Sequence, residues 1–131
     1  MTPQREEAER MLRLARRDHA AFGVLLDAPG VGLSVALFHA QQAAEKALKA
    51  VMCLHDVEYR RTHDLEELAT RLANAGISMT VVNAELRRLT PYAVEFSYDD
   101  EATHLLTGVQ AQAIVSSLLE WADTRARLRA P

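Results

Sequence analysis

The sequence predicts an all-α fold, and three observations support this prediction. Alanine and leucine, both strong helix formers, supply 40 of the 131 residues. Glycine occurs five times and proline four times, at spaced positions that divide the chain into segments. Within those segments apolar residues recur at three- and four-residue steps, as they do on one face of a helix. We therefore expect one domain over 1–131 with five helices, four of them long enough to form a bundle.

The first two helices are predicted on either side of a strong break. Thr2 followed by Pro3 is typical of a helix start, so the first helix is expected over 3–27. The Ala-Pro-Gly segment at 28–30 ends it, and the second helix is expected over 32–55. This second helix carries many alanines, which allow a neighbouring backbone to approach closely, either within the bundle or across a dimer.

Two shorter helices follow. Asp64 and Glu67 form a D-x-x-E pattern, which predicts a capping box at the start of a helix over 64–75. A further helix is expected over 80–89, because Pro91 cannot continue it.

The last helix is predicted over 100–128. Asp99, Asp100 and Glu101 place negative charge where a helix N-terminus favours it. The apolar residues that follow are candidates for the core: Leu105, Val109, Ile114, Leu118 and Trp121.

Composition and charge exclude several classes of protein. The formal net charge is −3 and the pI is near 5.9, which is not typical of a general nucleic-acid binder. No apolar run is long enough for a membrane helix, and the charged start predicts no secretory signal. Cys53 is the only cysteine, so no intrachain disulfide can form. We expect a cytoplasmic protein without membrane contact.

No standard catalytic or cofactor motif is present. The sequence lacks a phosphate loop, a dinucleotide fingerprint, H-E-x-x-H and C-x-x-C. None of the five histidines is three or four residues from another, so no helix presents a two-histidine metal pair. Neither a metal nor a cofactor is predicted.

Three polar stretches remain as candidates for function, and each allows a structural alternative. On the second helix, His39, Gln42, Lys46 and Lys49 share a face, with Gln41 and Glu45 beside them. This face is either solvated or part of a polar groove or interhelical hydrogen-bond network. The run 60–64, Arg-Arg-Thr-His-Asp, either caps a helix or holds a phosphate. Tyr92 and Tyr98 flank a connector and either pack or serve as modified or base-stacking tyrosines.

These stretches together resemble the HEPN family, a helical domain named from higher eukaryotes and prokaryotes nucleotide-binding. The matching segments are F-H-A-Q-Q-A-A-E-K-A-L-K-A at 38–50, R-T-H-D-L-E-E-L at 61–68 and L-T-P-Y-A-V-E-F-S-Y at 89–98. The resemblance implies an up-and-down bundle of four or five helices that forms a side-by-side homodimer. It also implies a minimal nucleotidyltransferase as partner, in a pair of the toxin–antitoxin type.

Catalytically active HEPN proteins are metal-independent endoribonucleases with an R-x(4–6)-H motif near the start of the last helix. His104 stands where the motif histidine is expected, but Ser97 occupies the arginine position. The acidic residues 99–101 also add charge that repels RNA phosphate. The motif is therefore not intact.

The resulting hypothesis is a HEPN-type binding protein that pairs with a nucleotidyltransferase and binds a nucleotide. The nucleotide-binding candidates are Lys46, Lys49, Arg61 and His63, and the candidates for an interface or polar groove are His39, Gln41, Gln42 and Glu45. Tyr98 is a candidate target for adenylylation. One alternative is an endoribonuclease toxin with an unorthodox site, whose catalytic candidates are His104 and His63. Another is a purely structural adaptor.

Overall fold

The computed structural model describes residues 2–93 and 106–129, and in these ranges the chain is helical without strands. The helices are α1 (Pro3–Asp27), α2 (Leu33–Leu54), α3 (Leu65–Asn74), α4 (Asn83–Leu89) and α5 (Gly108–Leu128), with a 3-10 turn at Thr90–Ala93. The predicted all-α bundle is confirmed. None of the described helices combines the length and the apolar character needed to cross a membrane.

The start of α1 follows the sequence prediction. The Thr2 hydroxyl accepts a hydrogen bond from the backbone N–H of Arg5 at 3.0 Å, and Pro3 occupies the first helical turn, where no N–H is needed. The break at 28–30 separates α1 from α2 as expected.

The start of α3 differs in detail from the predicted capping box. The Asp64 carboxylate accepts hydrogen bonds from the N–H groups of Glu66 at 3.0 Å and Glu67 at 3.3 Å, so Asp64 is the N-cap. The Glu67 side chain does not return to Asp64, because it accepts from Arg60 Nε at 2.7 Å. The Asp64 N–H donates instead to the Thr62 hydroxyl at 3.0 Å. Only half of the box forms.

The fourth helix begins later than predicted. It starts at Asn83 rather than at residue 80, and Val82 precedes it in an extended conformation without a capping side chain. The Thr80 hydroxyl, which could have capped an earlier start, lies 3.1 Å from the Ser117 hydroxyl on α5.

The last helix also begins later than predicted, at Gly108 instead of residue 100. Leu106 and Thr107 are not helical, and residues 94–105 lie outside the described ranges. Thr107 and Gln110 form a complete capping box: the Thr107 hydroxyl accepts from Gln110 N–H at 3.1 Å, and the Gln110 side chain accepts from Thr107 N–H at 2.9 Å.

One core prediction for α5 is wrong. Val109 is 82% exposed because it lies two residues before the buried Ala111, about 200° around the helix from it. The predicted core residue Leu105 lies outside the described residues. The remaining three predicted residues are buried: Ile114, Leu118 and Trp121.

The bundle is built around α2, which contacts each of the other described helices. Helix α1 runs antiparallel to α5, since Arg5 reaches Ala126 near the end of α5 while His19 contacts Gln112 near its start. The alanines of α2 are fully buried in the single chain, among them Ala44 and Ala47 at 0% exposure. Their close approach to neighbouring backbones therefore occurs within the protomer.

Candidate functional site

A buried carboxylate organises the polar face of α2. The side chain of Glu45 is 7% exposed and accepts hydrogen bonds from three donors. Lys49 Nζ, one turn further along α2, donates to Oε2 at 2.9 Å. Oε1 accepts from His63 Nδ1 at 2.8 Å and from Gln41 Nε2 at 3.2 Å. A buried carboxylate is costly unless it is paired in this way, so Glu45 fixes the positions of its partners.

Gln41 connects α2 to the segment that precedes α3. It is fully buried, and its Nε2 also donates to the backbone carbonyl of His63 at 3.1 Å. Its Oε1 accepts from Gln42 Nε2 at 2.8 Å. These bonds are made inside one chain, so Gln41 and Glu45 belong to an internal network that holds His63 against α2.

A second polar cluster lies between α1 and α2. Asp18 of α1 contacts both His39 and Lys46 of α2: one oxygen lies 3.0 Å from His39 Nδ1, and the other pairs with Lys46 Nζ. The Asp18 side chain is 15% exposed, so this cluster is half-buried at the seam between the two helices. Lys46 is thereby directed toward α1 and away from Glu45.

An open cavity of about 400 Å³ lies beside the Glu45 network, and we name it the Arg61 cavity. Its lining residues are Lys49, Arg61, Thr62 and His63. In the described parts of the chain, Arg61 has no ion pair or side-chain hydrogen bond, and it is exposed. The cavity therefore holds one uncommitted guanidinium beside a lysine and a histidine whose positions Glu45 fixes.

The contact with Glu45 determines which nitrogen of His63 carries a proton. A carboxylate only accepts hydrogen bonds, so the Nδ1 of His63 carries the proton that it donates to Glu45. In the neutral ring Nε2 is then the acceptor, and the ring is 63% exposed. Nε2 of His63 has no hydrogen-bond partner among the described residues.

Tyr59 shields the other side of Lys49. The Lys49 ammonium lies 5.3 Å from the centre of the Tyr59 ring, a cation–π contact. Burial, reinforced by the neighbouring Cys53, raises the pKa of Tyr59 to about 12. Burial likewise raises the pKa of the Cys53 thiol. Both side chains stay neutral at physiological pH and add no negative charge beside Lys49.

The structure divides the residues predicted from the sequence into separate groups. Lys49, Arg61 and His63 meet at the cavity, whereas Lys46 and His39 meet at Asp18.

His104 and Tyr98 lie outside the described residues. The described residues contain no group of three or more His, Cys, Asp or Glu side chains placed to hold a metal ion.

Two residues that contribute to the cavity and to the α1–α2 cluster were not predicted from the sequence. Thr62 lines the cavity although it is not among the predicted nucleotide-binding residues, and its place between Arg61 and His63 was the available signal. The sequence gives no such signal for Asp18, because its pairing with His39 and Lys46 depends on how α1 packs against α2.

The fold and the site define a class: a small all-α bundle whose central helix carries a buried polar network that ends at an open cationic cavity. The HEPN domain family model matches residues 5–124, and the chain belongs to the HEPN family. No curated protein and no solved structure matches it significantly.

Proposed function

We propose that this HEPN domain binds a nucleotide through its phosphates at the Arg61 cavity. The observation that carries this proposal is the convergence of Lys49, Arg61 and His63 on one cavity, in which Arg61 has no side-chain partner among the described residues. Uncommitted guanidinium groups bind phosphate strongly because two N–H groups meet two oxygens.

Each lining residue has a distinct role in this proposal. Arg61 contacts the phosphate as a fork, and the Thr62 hydroxyl donates one further hydrogen bond. Lys49 supplies positive charge, but Glu45 offsets part of it at 2.9 Å. Counted without His63, Lys49 and Arg61 against Glu45 leave a local charge of about +1, so binding is expected to weaken as salt rises.

Calorimetric titration with ATP, adenosine and inorganic phosphate tests the proposal. Arg61→Gln should weaken ATP binding about tenfold, because one charged hydrogen bond typically contributes that much to affinity. Lys46→Ala should change it little, because Asp18 holds Lys46 away from the cavity. The matched control is Arg88→Gln, an exposed arginine on α4. Equal ATP affinity in the wild type and Arg61→Gln, or equal binding of adenosine and ATP, would overturn the proposal.

We further propose that the chain is a homodimer and the partner of a minimal nucleotidyltransferase, with Tyr98 as the residue that is adenylylated. HEPN family membership supports this proposal. Co-expression with such a transferase should yield a co-purifying complex, and intact-protein mass should rise by one nucleoside monophosphate. Tyr98→Phe should abolish the mass increase, while Tyr59→Phe should not. If dimers persist without a partner or a bound nucleotide, the chain is a structural adaptor instead.

A second candidate function is metal-independent RNA cleavage, and the Glu45–His63 contact at 2.8 Å favours it. A carboxylate that holds Nδ1 leaves Nε2 to accept the proton of an RNA 2′-hydroxyl, as a general base does. The 2′-oxygen would then attack the adjacent phosphorus and displace the 5′-oxygen, which would take its proton from water, while Arg61 would stabilise the charge that develops on the phosphate.

Incubation with total RNA in EDTA separates the two functions. Cleavage that His63→Ala removes and His19→Ala retains would support a ribonuclease centred on His63. Loss of RNA cleavage in His104→Ala would show that a second histidine is needed for catalysis. The absence of cleavage by the wild type would exclude this candidate and leave the binding function.

A further inference from the structure

Four arginines line a second cavity, which is formed by α1 and α5 and is remote in sequence from the Arg61 cavity. We name it the arginine groove; its volume is about 420 Å³. Its charged residues are Arg5, Glu9, Arg13 and Arg16 of α1 with Asp123 and Arg127 of α5. Leu12 and Ala126, which also line the groove, are 3% and 8% exposed and therefore belong to the core as well.

Two of the four arginines are neutralised within the groove. Arg5 Nε donates to Glu9 at 3.0 Å, and Arg5 Nη1 donates to the Ala126 carbonyl at 2.7 Å. The Arg5 side chain is only 17% exposed, so these bonds fix it in place. Arg16 pairs with Asp123 across the two helices. These contacts fasten α1 to α5 and use both carboxylates.

The other two arginines are not neutralised. Arg13 on α1 and Arg127 on α5 are exposed, and neither has a carboxylate partner within the described ranges. Arg127 Nη2 contacts only the Thr124 hydroxyl, at 3.2 Å. The groove therefore has an excess charge of about +2 by simple counting, in a chain whose formal net charge is −3.

We propose that the arginine groove binds a pyrophosphate group. Arg13 and Arg127 lie on different helices of one cavity, so each guanidinium can form two hydrogen bonds with one phosphate. Arg5 and Arg16 stay paired with Glu9 and Asp123, so the excess positive charge of the groove comes from Arg13 and Arg127. The volume is in the range of small-molecule sites, so the groove is large enough for a pyrophosphate group. Inorganic polyphosphate and the polyphosphate chain of a nucleotide share this chemistry.

This site is separate from the Arg61 cavity and does not depend on the function proposed for it. The groove is built from α1 and α5, whereas the Arg61 cavity is built from α2 and the residues just before α3. A substitution that removes one site therefore allows binding at the other site to be measured alone.

Calorimetric titration with pyrophosphate tests the proposal. In the Arg61→Gln background, which removes phosphate binding at the Arg61 cavity, Arg13→Gln and Arg127→Gln should each weaken pyrophosphate binding about tenfold, and both together should abolish measurable binding. Arg88→Gln, added to the same Arg61→Gln background, should leave pyrophosphate binding unchanged. Far-ultraviolet circular dichroism checks that the variants fold, and all four positions are exposed.

Two results would overturn the proposal: unchanged affinity in the double variant, or loss of binding in Arg61→Gln alone, which would move pyrophosphate to the other cavity. ATP and adenosine distinguish the sources. If ATP binds more tightly than pyrophosphate, the proposal is supported with a nucleotide as the ligand. If the two bind equally, it is supported with inorganic polyphosphate as the ligand. Binding of adenosine as tight as that of ATP would contradict it.

Discussion

At the scale of single residues, Glu45 is the side chain on which the site depends most. It is a buried acid with three donors, so its removal leaves Lys49 without its acceptor and takes from Gln41 Nε2 one of its two acceptors. We expect Glu45→Ala to lower the free energy of unfolding by about 3 kcal/mol, as for other buried pairs that lose one partner. His63→Ala should cost below about 1 kcal/mol, because that ring is 63% exposed.

Urea unfolding followed by circular dichroism measures both changes. Glu120→Ala is the matched control, since Glu120 is exposed on α5 and should change the free energy of unfolding by less than about 0.5 kcal/mol. Equal losses for Glu45→Ala and Glu120→Ala would show that the network does not stabilise the fold.

Tyr59 gives the second prediction at this scale. Its pKa is raised from 10.0 to about 12, first by burial and then by Cys53. A raised pKa stabilises the folded state fully below the usual value, and this stabilisation is lost as the pH rises from about 10 through about 12. The difference in ultraviolet absorbance between the wild type and Tyr59→Phe should therefore titrate with a midpoint near 12. A midpoint near 10.0 would mean that the ring is solvated.

Residue types alone predicted only part of the site. Lys49, Arg61 and His63 could be grouped because cations on one helix face and in the next loop suggest a phosphate ligand, and they do meet. Lys46 shares the helix face, but it pairs with Asp18. That pairing depends on the packing of α1 on α2, which no local pattern in the sequence encodes.

At the scale of helices, capping side chains fix where α1, α3 and α5 begin. Acidic residues at 99–101 suggested a start at 100, yet α5 starts at Gly108 behind the capping box of Thr107 and Gln110. The T-x-x-Q pattern was present in the sequence and is a more specific signal, because its two hydrogen bonds satisfy defined backbone groups, whereas negative charge only biases a helix dipole.

We accordingly expect Thr107→Ala to lower the free energy of unfolding by about 1 kcal/mol. The substitution removes the acceptor of the Gln110 N–H at the first turn of α5. Chemical denaturation beside Thr70→Ala, an exposed threonine on α3, measures the effect. If both variants lose the same small amount, the capping box does not hold the start of α5.

At the scale of the whole molecule, α2 is the core around which the other helices pack, and its alanines set the spacing. The sequence left open whether those alanines pack within the bundle or across a dimer. The spacing of residues identifies which of them share a helix face, but it does not show what packs against that face. In the single chain Ala40, Ala44 and Ala47 are already at 0% exposure. No surface of these residues is left for a second subunit.

This arrangement predicts how a larger side chain acts. Ala44→Leu inserts extra volume where Ala44 is fully enclosed, so the free energy of unfolding should fall by about 1–3 kcal/mol. Ala20→Leu on the exposed side of α1 is the matched control and should change it little. The loss should be the same at every protein concentration, because a defect inside the protomer does not involve association. A loss that grows on dilution would instead assign Ala44 to contacts between subunits, since only association makes stability depend on concentration.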